Sequence, residues 1–384
     1  GGTEKVWAAD NDVIEIRTPE EFANMNYDGN YKLVADDIEV TQPYSKSFRG
    51  TFDGDGHVIT LKAKVSSGNA GLFAETSSGA DIRNVIVNAQ IESSATNYSG
   101  TGGLIGKVSG NTTITNCGVS GSVKNTSTST SAAYVGGLIG YITANCNIEK
   151  SFATCDVENS NASSSASTGG LIGKTSNYYT LDVSNCYSNS SVTANKGYAG
   201  GITGYIYCSS SYKHNYSNCY ASGDVKVTNA SGNAYGFGYS YANAGYNFEK
   251  CYFNNENNVA GINKDSTGIT GKSSTELKGL ASALGDAFQE DKTNLNNGYP
   301  ILDWQYVDTE ATCTVKFNVS PKESVLTWNE EEQAVSKDGA YTFENVKVGD
   351  YTYKVSNEVG DYAEKSGKIS AKGKPIEQNV SLEL

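Results

Sequence analysis

The chain holds only two histidines, His57 and His214, so any hydrolytic chemistry that relies on imidazole must use one of them. Serine-histidine-aspartate catalysis needs a serine within reach of the ring. His57 ends a Gly-Asp-Gly-His turn, and His214 sits in Tyr212-Lys213-His214-Asn215-Tyr216 on the outer part of a repeat. Neither is expected to be catalytic, and neither belongs to a His-Glu-x-x-His zinc motif. Asp53-Gly54-Asp55-Gly56 has the composition of a calcium loop but lacks the spacing and closing Glu of an EF-hand, so a tight turn between two strands is expected. No Walker or dinucleotide loop is present.

Carboxylate chemistry needs acids that converge, because glycosidases use two at a defined separation. Between Ile91 and Asn247 the acids are Glu92, Glu149, Asp156, Glu158, Asp182 and Asp224. The lysines there are Lys107, Lys124, Lys150, Lys174, Lys196, Lys213 and Lys226, and the stretch has no Arg. Both sets are dispersed. Tyrosine, by contrast, is in excess: Tyr134, Tyr141, Tyr178, Tyr179, Tyr198, Tyr205, Tyr207, Tyr212 and Tyr216 crowd one region. Exposed aromatics stack on sugars or anchor protein partners, whereas buried ones clamp neighbouring repeats and shield glycine corners.

The elements that carry these residues repeat. Gly102-Gly103-Leu104-Ile105-Gly106 returns as Gly136-Gly137-Leu138-Ile139-Gly140, Gly169-Gly170-Leu171-Ile172-Gly173 and Gly200-Gly201-Ile202-Thr203-Gly204. Worn copies stand at Ala70-Gly71-Leu72-Phe73-Ala74 and Tyr235-Gly236-Phe237-Gly238. A second signal keeps phase: Arg83-Asn84-Val85, Thr115-Asn116-Cys117, Glu149-Lys150-Ser151, Ser184-Asn185-Cys186, Ser217-Asn218-Cys219 and Glu249-Lys250-Cys251. Each repeat is expected to hold about three short strands between Gly, Asn and Ser turns. No such unit buries a core alone, so the repeats must stack, with equivalent strands ~4.8 Å apart and six coils spanning roughly 30 Å. Crossover handedness favours a right-handed coil.

Stacking accounts for half of the eight cysteines. Cys117, Cys186, Cys219 and Cys251 fall on one ladder with Val85 and Ser151 and are expected to be small, reduced core residues. A disulfide between ladder neighbours is the alternative. Cys146, Cys155, Cys208 and Cys313 lie off the ladder. Loops at residues 125–133 and 159–168 share a phase and should project from one face, which makes that face a candidate for binding.

Thr18-Pro19-Glu20-Glu21-Phe22 reads as a capped helix start, with Glu21 completing a capping box, over about residues 18–26. Ser273 and Glu276 have the same spacing and predict a helix over about 273–288. Gly298-Tyr299-Pro300-Ile301-Leu302-Asp303-Trp304 should close the domain as a last strand and plug. From about Thr312 the repeats stop and alternating strands such as Val315-Lys316-Phe317-Asn318-Val319 predict a small β-sandwich. The expected organisation is an all-β parallel β-helix over 1–307, with repeats at about 66–260, followed by an immunoglobulin-like β-sandwich over 308–384.

The Gly-Gly-Leu-Ile-Gly copies resemble the GLUG repeat of bacterial surface proteins. So do the start Gly50-Thr51-Phe52-Asp53-Gly54-Asp55-Gly56-His57 and the close from Gly298 to Trp304. The resemblance covers about residues 13–305 and implies a pectin-lyase-like right-handed parallel β-helix. The tail is similar to PEGA-like or other small immunoglobulin-like modules. GLUG repeats occur beside the catalytic part of some immunoglobulin A metallopeptidases, so the resemblance also implies an accessory region of such a protein.

The chain carries 18% charged and 38% hydrophobic residues, 42 Gly, 26 Tyr and a net charge of −13. An acidic chain with scattered lysines is a poor partner for nucleic acid or anionic lipid. No apolar run is long enough to span a membrane. The start, Gly1-Gly2-Thr3, reads as a mature or trimmed terminus. Together these features predict a monomeric, non-catalytic, secreted or cell-surface adhesin or binding module for a host glycan or extracellular protein. No cofactor, metal, nucleic-acid partner or membrane insertion is expected. The alternatives are a polysaccharide lyase or glycosidase on a β-helix, and a structural spacer within a larger surface protein.

Overall fold

The computed structural model describes residues 12–209, 211–241 and 245–384; the Gly1-Gly2-Thr3 start lies outside them. The repeats form a parallel β-solenoid of about six turns. One complete coil runs Ser99–Gly102, Ile105–Val108, Thr112–Thr115 and Gly118–Asn125. The next runs Ala133–Gly136, Ile139–Ile142, Cys146–Glu149 and Phe152–Asn159, each strand parallel to its equivalent.

Three sheets result. The first, of 18 strands, takes the last two strands of every coil; the second has seven strands and contains Ile105–Val108; the third has five and contains Ser99–Gly102. A coil therefore has four strands rather than the three expected. The Gly-Gly-Leu-Ile-Gly motif does not lie within one strand but folds one strand of the third sheet back against one of the second. Glycine is required because backbone meets backbone there: a Cβ on Gly102 would lie 2.3 Å from the Ile105 carbonyl oxygen, and one on Gly140 2.2 Å from the Thr101 nitrogen. Leu104, Ile105, Leu138, Ile139, Leu171 and Ile172 are fully buried inside the coil, as expected.

The Asn-Cys signal marks the corner between the two strands of the first sheet. Asn84, Asn116, Lys150, Asn185, Asn218 and Lys250 all adopt left-handed backbone with φ of 49–57°, a conformation that asparagine tolerates well. Their amides also stack: Asn116 Nδ2 donates to Asn84 Oδ1 at 3.1 Å, and Asn84 Nδ2 to Asp53 Oδ1 at 3.1 Å. The following side chain turns back on the corner. Cys186 and Cys219 each donate to the carbonyl two residues earlier at 3.2 Å, and Ser151 Oγ does so at 3.0 Å. Cysteine and serine exchange here because both are small donors, which adds hydrogen bonding to the packing role read from sequence. All eight cysteines are free and buried. Cys146 and Cys155 lie on interior ladders of the first sheet, with Thr112 and Leu181 beside the former and Gly121 beside the latter, and Cys313 is in the C-terminal core.

At the N-terminal end, helix Pro19–Ala23 is capped by Thr18 Oγ1, which accepts from Glu21 N at 3.1 Å. The capping box is incomplete: Glu21 reaches past the cap and accepts from Arg17 N at 3.0 Å. Phe22 fills the end of the core, 5.6–6.0 Å from the rings of Tyr44, Phe52 and Phe73. The Asp53–Gly56 run forms the expected turn, with Asp53 Oδ1 accepting from Asp55 N at 2.8 Å.

The segment after the solenoid differs from expectation. In place of one helix over 273–288 there are two short ones, Ser274–Lys278 and Ala281–Leu284, interrupted at Gly279 and Leu280. The Ser273–Glu276 capping box is complete. Ile301–Leu302 pairs antiparallel with Phe288–Gln289 and does not add to the stack as a last coil. The whole segment is a strap along the side of the first sheet. It covers an aromatic ladder in which Phe152, Tyr187 and Tyr220 stack at 5.2 and 5.1 Å. Trp304 Nε1 donates to the Lys150 carbonyl at 2.8 Å, and Lys150 pairs with Asp303 at 3.0 Å.

The strap returns the chain toward the N-terminal coils, and residues 312–382 form two facing sheets with a separate core around Phe317, Leu326, Val355 and Ile369. Their three-stranded sheet is mixed, since Thr312–Ser320 pairs antiparallel with Ala340–Lys347 but parallel with Ile376–Ser381. This module docks on the start of the solenoid. Asp36 N donates to Gln378 Oε1 and Gln378 Nε2 to the Asp36 carbonyl, both at 3.0 Å. Ser370 N donates to Asp36 Oδ2 at 2.8 Å, and Arg17 pairs with Glu377 at 2.9 Å.

Candidate functional site

Parallel stacking turns a residue's place in the repeat into a place on a surface ladder. The position directly after each closing glycine, or after Ala74 in the worn first copy, faces outward from the second sheet and reads Glu75, Lys107, Tyr141, Lys174, Tyr205, Tyr239 in register. The position two before each opening glycine, on the third sheet, reads Gly100, Tyr134, Ser167, Tyr198, Asn233. The tight glycine fold brings the two ladders together, so each coil offers one residue from each.

Two coils offer a tyrosine pair in the same geometry: Tyr134 and Tyr141, and Tyr198 and Tyr205, both have centroids 4.7 Å apart at 61°. Tyr239 continues the bed, 4.3 Å from Tyr198 and 5.4 Å from Tyr205. The coil between the two pairs offers Lys174 and the small Ser167. The Lys174 ammonium lies 4.7 Å from the Tyr134 ring, 5.4 Å from Tyr205 and 5.8 Å from Tyr141, within cation–π range of all three. It also bonds the Tyr134 hydroxyl at 3.4 Å. Burial pulls the Lys174 amine below its ordinary range and pushes the Tyr134, Tyr141 and Tyr205 phenols above theirs. Tyr98 (63% exposed), Tyr178 (72%) and Tyr241 (42%) extend the aromatic surface at its margins.

The tyrosines named from sequence therefore divide. Tyr179 and Tyr216 are core residues; Tyr134, Tyr141, Tyr198, Tyr205 and Tyr207 lie in or beside the bed; Tyr178 and Tyr212 pair at 6.0 Å near one edge. Sequence reasoning missed Tyr98 and Tyr239, and counted Lys174 only among scattered lysines. The phase relative to the closing glycine was the signal that could have found the last two.

The other candidates do not converge. His214 is fully buried, shares a hydrogen bond with Thr175 Oγ1 at 3.3 Å, and lies 4.8 Å from the Tyr179 ring. Burial lowers its pKa to about 4. His57 is buried in a different place, 3.8 Å from Asp36. Asp156 and Glu158 do meet, but on Lys124, each at 3.4 Å. Burial opposes the Lys124 charge, yet the two carboxylates outweigh it and hold the amine above its ordinary range. Asp182 accepts from Asn215 at 2.9 Å, and Asp224 pairs with Lys226 at 3.1 Å. Among the described residues, no three His, Cys, Asp or Glu side chains come together to hold a metal.

The loops at 125–133 and 159–168 stack on each other, and the buried Asn161 amide donates to the Ser129 and Ser131 carbonyls at 3.1 and 2.7 Å. The second loop is mostly covered, and the exposed part of the first offers only serine and threonine.

The architecture defines a parallel β-solenoid with a lateral aromatic face. No family model matches the chain, and no curated protein matches it. Among solved structures it is similar to a Bacteroides ovatus protein whose suggested designation is immunoglobulin A1 protease. The TM-score is 0.53 at 23% identity, over 77% of this chain and 94% of that one, a likeness of fold.

Proposed function

We propose that the chain is a non-catalytic binding module of a secreted or cell-surface protein, and that it holds its ligand on the aromatic face. The observation that carries this reading is the tyrosine bed itself. Rigid strands hold Tyr141, Tyr198, Tyr205 and Tyr239 partly exposed beside the buried Tyr134, and they surround no catalytic group. Aromatic rings of this kind suit the apolar faces of sugars or the anchor residues of a protein partner. A monomer acting on an extracellular glycan or protein fits the acidic, glycine-rich chain best.

The Bacteroides ovatus designation favours a second reading, an accessory region of a peptidase. Two histidines in separate buried settings favour an accessory over a catalytic part in that case. The two readings are compatible, because an accessory region can serve by binding.

The test is an array of glycans, mucins and matrix proteins probed with the whole chain, with and without calcium. Specific hits that Tyr205→Ala removes support the proposal. Turnover of a polysaccharide that vanishes in Asp156→Asn or Glu158→Gln would replace it with the enzyme alternative.

A further inference from the structure

We propose that the aromatic face takes an anionic glycan, a sugar bearing carboxylate or sulfate, with Lys174 as the residue that recognises the charge. The inference rests on the aromatic-face reading and adds the ligand's charge to it.

A net charge of −13 argues against an anionic ligand until the charges are placed. From Ser94 to Tyr246, the strands of the second and third sheets and their connections to the first carry Lys107, Lys174, Lys196 and Lys213 and no Asp or Glu. The acids of that stretch, Glu149, Asp156, Glu158, Asp182 and Asp224, all lie in or beside strands of the first sheet. The nearest carboxylate on the ladder is Glu75 at its N-terminal end, and that one accepts from Ser109 Oγ. The aromatic face is thus a weakly positive strip on an acidic protein.

Lys174 stands at its centre and differs from the structural lysines. Lys124, Lys150 and Lys226 each pair with a carboxylate within 3.4 Å. Lys174 has no carboxylate partner among the described residues, and rings cover much of its side chain. A half-buried ammonium without a counter-ion has lost part of its hydration and gains from an arriving anion. Ser167, between Tyr134 and Tyr198 on the ladder, is fully buried, so an arriving anion would meet the Lys174 ammonium and not the serine. A sugar ring on Tyr141 or Tyr205 would bring its acidic group to the Lys174 ammonium, 5.8 and 5.4 Å from those two rings. A nucleic acid strand would need a longer track of cations along its backbone, whereas this bed holds two, Lys174 and, 5.8 Å from the Tyr141 ring, Lys107.

The experiment is calorimetric titration of the whole chain with 3′-sialyllactose and lactose 3′-sulfate against lactose, and with trigalacturonate against its methyl ester. The expected result is at least ~tenfold tighter binding of one or more charged sugars, as one charge-assisted contact supplies. Lys174→Met should erase that preference and Lys124→Met leave it intact, with circular dichroism confirming the fold of both. Preference for sialyllactose or for the sulfate identifies the anion. Equal binding of charged and neutral sugars that Tyr205→Ala abolishes and Lys174→Met does not would overturn the charge inference and spare the aromatic-face reading. No binding, or binding indifferent to Tyr205→Ala, would overturn both. Tighter binding of oligothymidylate than of any sugar would also overturn the proposal.

Discussion

Lowering the pH should destabilise the solenoid through one residue. His214 is sealed between coils, with Leu181 and Tyr246 as its ladder neighbours and the Tyr179 ring against it. Desolvation is the main cause that lowers its pKa from 6.5 to about 4, and a backbone hydrogen bond opposes it. The unfolded chain therefore takes up a proton near pH 6.5, while the fold resists until about pH 4. Stability is complete above pH 6.5 and drains as pH falls through that window. A shift of roughly 2.5 units corresponds to about 3 kcal/mol, a large part of the 5–15 kcal/mol typical of a folded domain. The assay is urea denaturation at half-unit steps from pH 7.5 to 4. His214→Leu, matched to its neighbour Leu181, should flatten the curve by that amount relative to the parent. Identical slopes in parent and variant would refute the reasoning.

Further predictions concern the repeat. Gly140→Ala should destabilise by about 3 kcal/mol or more, because its Cβ would press on the Thr101 backbone and not on a side chain that can move; a loss below ~1 kcal/mol in urea midpoint would count against backbone contact between the sheets. Ser151→Cys should cost under ~1 kcal/mol. Ser151→Val should cost about 1–3 kcal/mol, because it strands the Cys117 N–H, which bonds Ser151 Oγ at 3.2 Å, although the Glu149 carbonyl keeps its bond from Asn116 N at 3.2 Å; equal costs would show that only size matters on this ladder. Trp304→Ala should loosen the strap and make residues 273–307 the first site of limited proteolysis, while unchanged cleavage would show that the strap is held elsewhere.

Repetition made the solenoid legible. The Gly-Gly-Leu-Ile-Gly and Asn-Cys signals kept phase over several copies, and phase is what a stack preserves. The fourth strand stayed hidden because Ser99–Gly102 and its equivalents are rich in glycine and small residues, which have no strand signature. Their pairing comes from close approach to the second sheet. The strap was misread for a different reason. Ser273 and Glu276 specify where a helix starts, but its course is set by Tyr187, Tyr220 and Lys150, between 80 and 154 residues away in sequence. Docking of the C-terminal module on Asp36 joins residues 342 positions apart and left no local trace. The aromatic face was half legible. The excess of tyrosine was plain, but sorting core from surface needed the ladder position of each ring.

The central claim is that binding resides on the tyrosine bed and not on the acidic first sheet. The most direct measurement compares two double variants against whichever ligand the array yields: Tyr141→Ala with Tyr205→Ala, and Asp156→Asn with Glu158→Gln. Loss of binding in the tyrosine pair, with the carboxylate pair binding like the parent, is the predicted result. Binding that survives the tyrosine pair and disappears with the carboxylate pair would contradict the account and move the site to the opposite side of the solenoid.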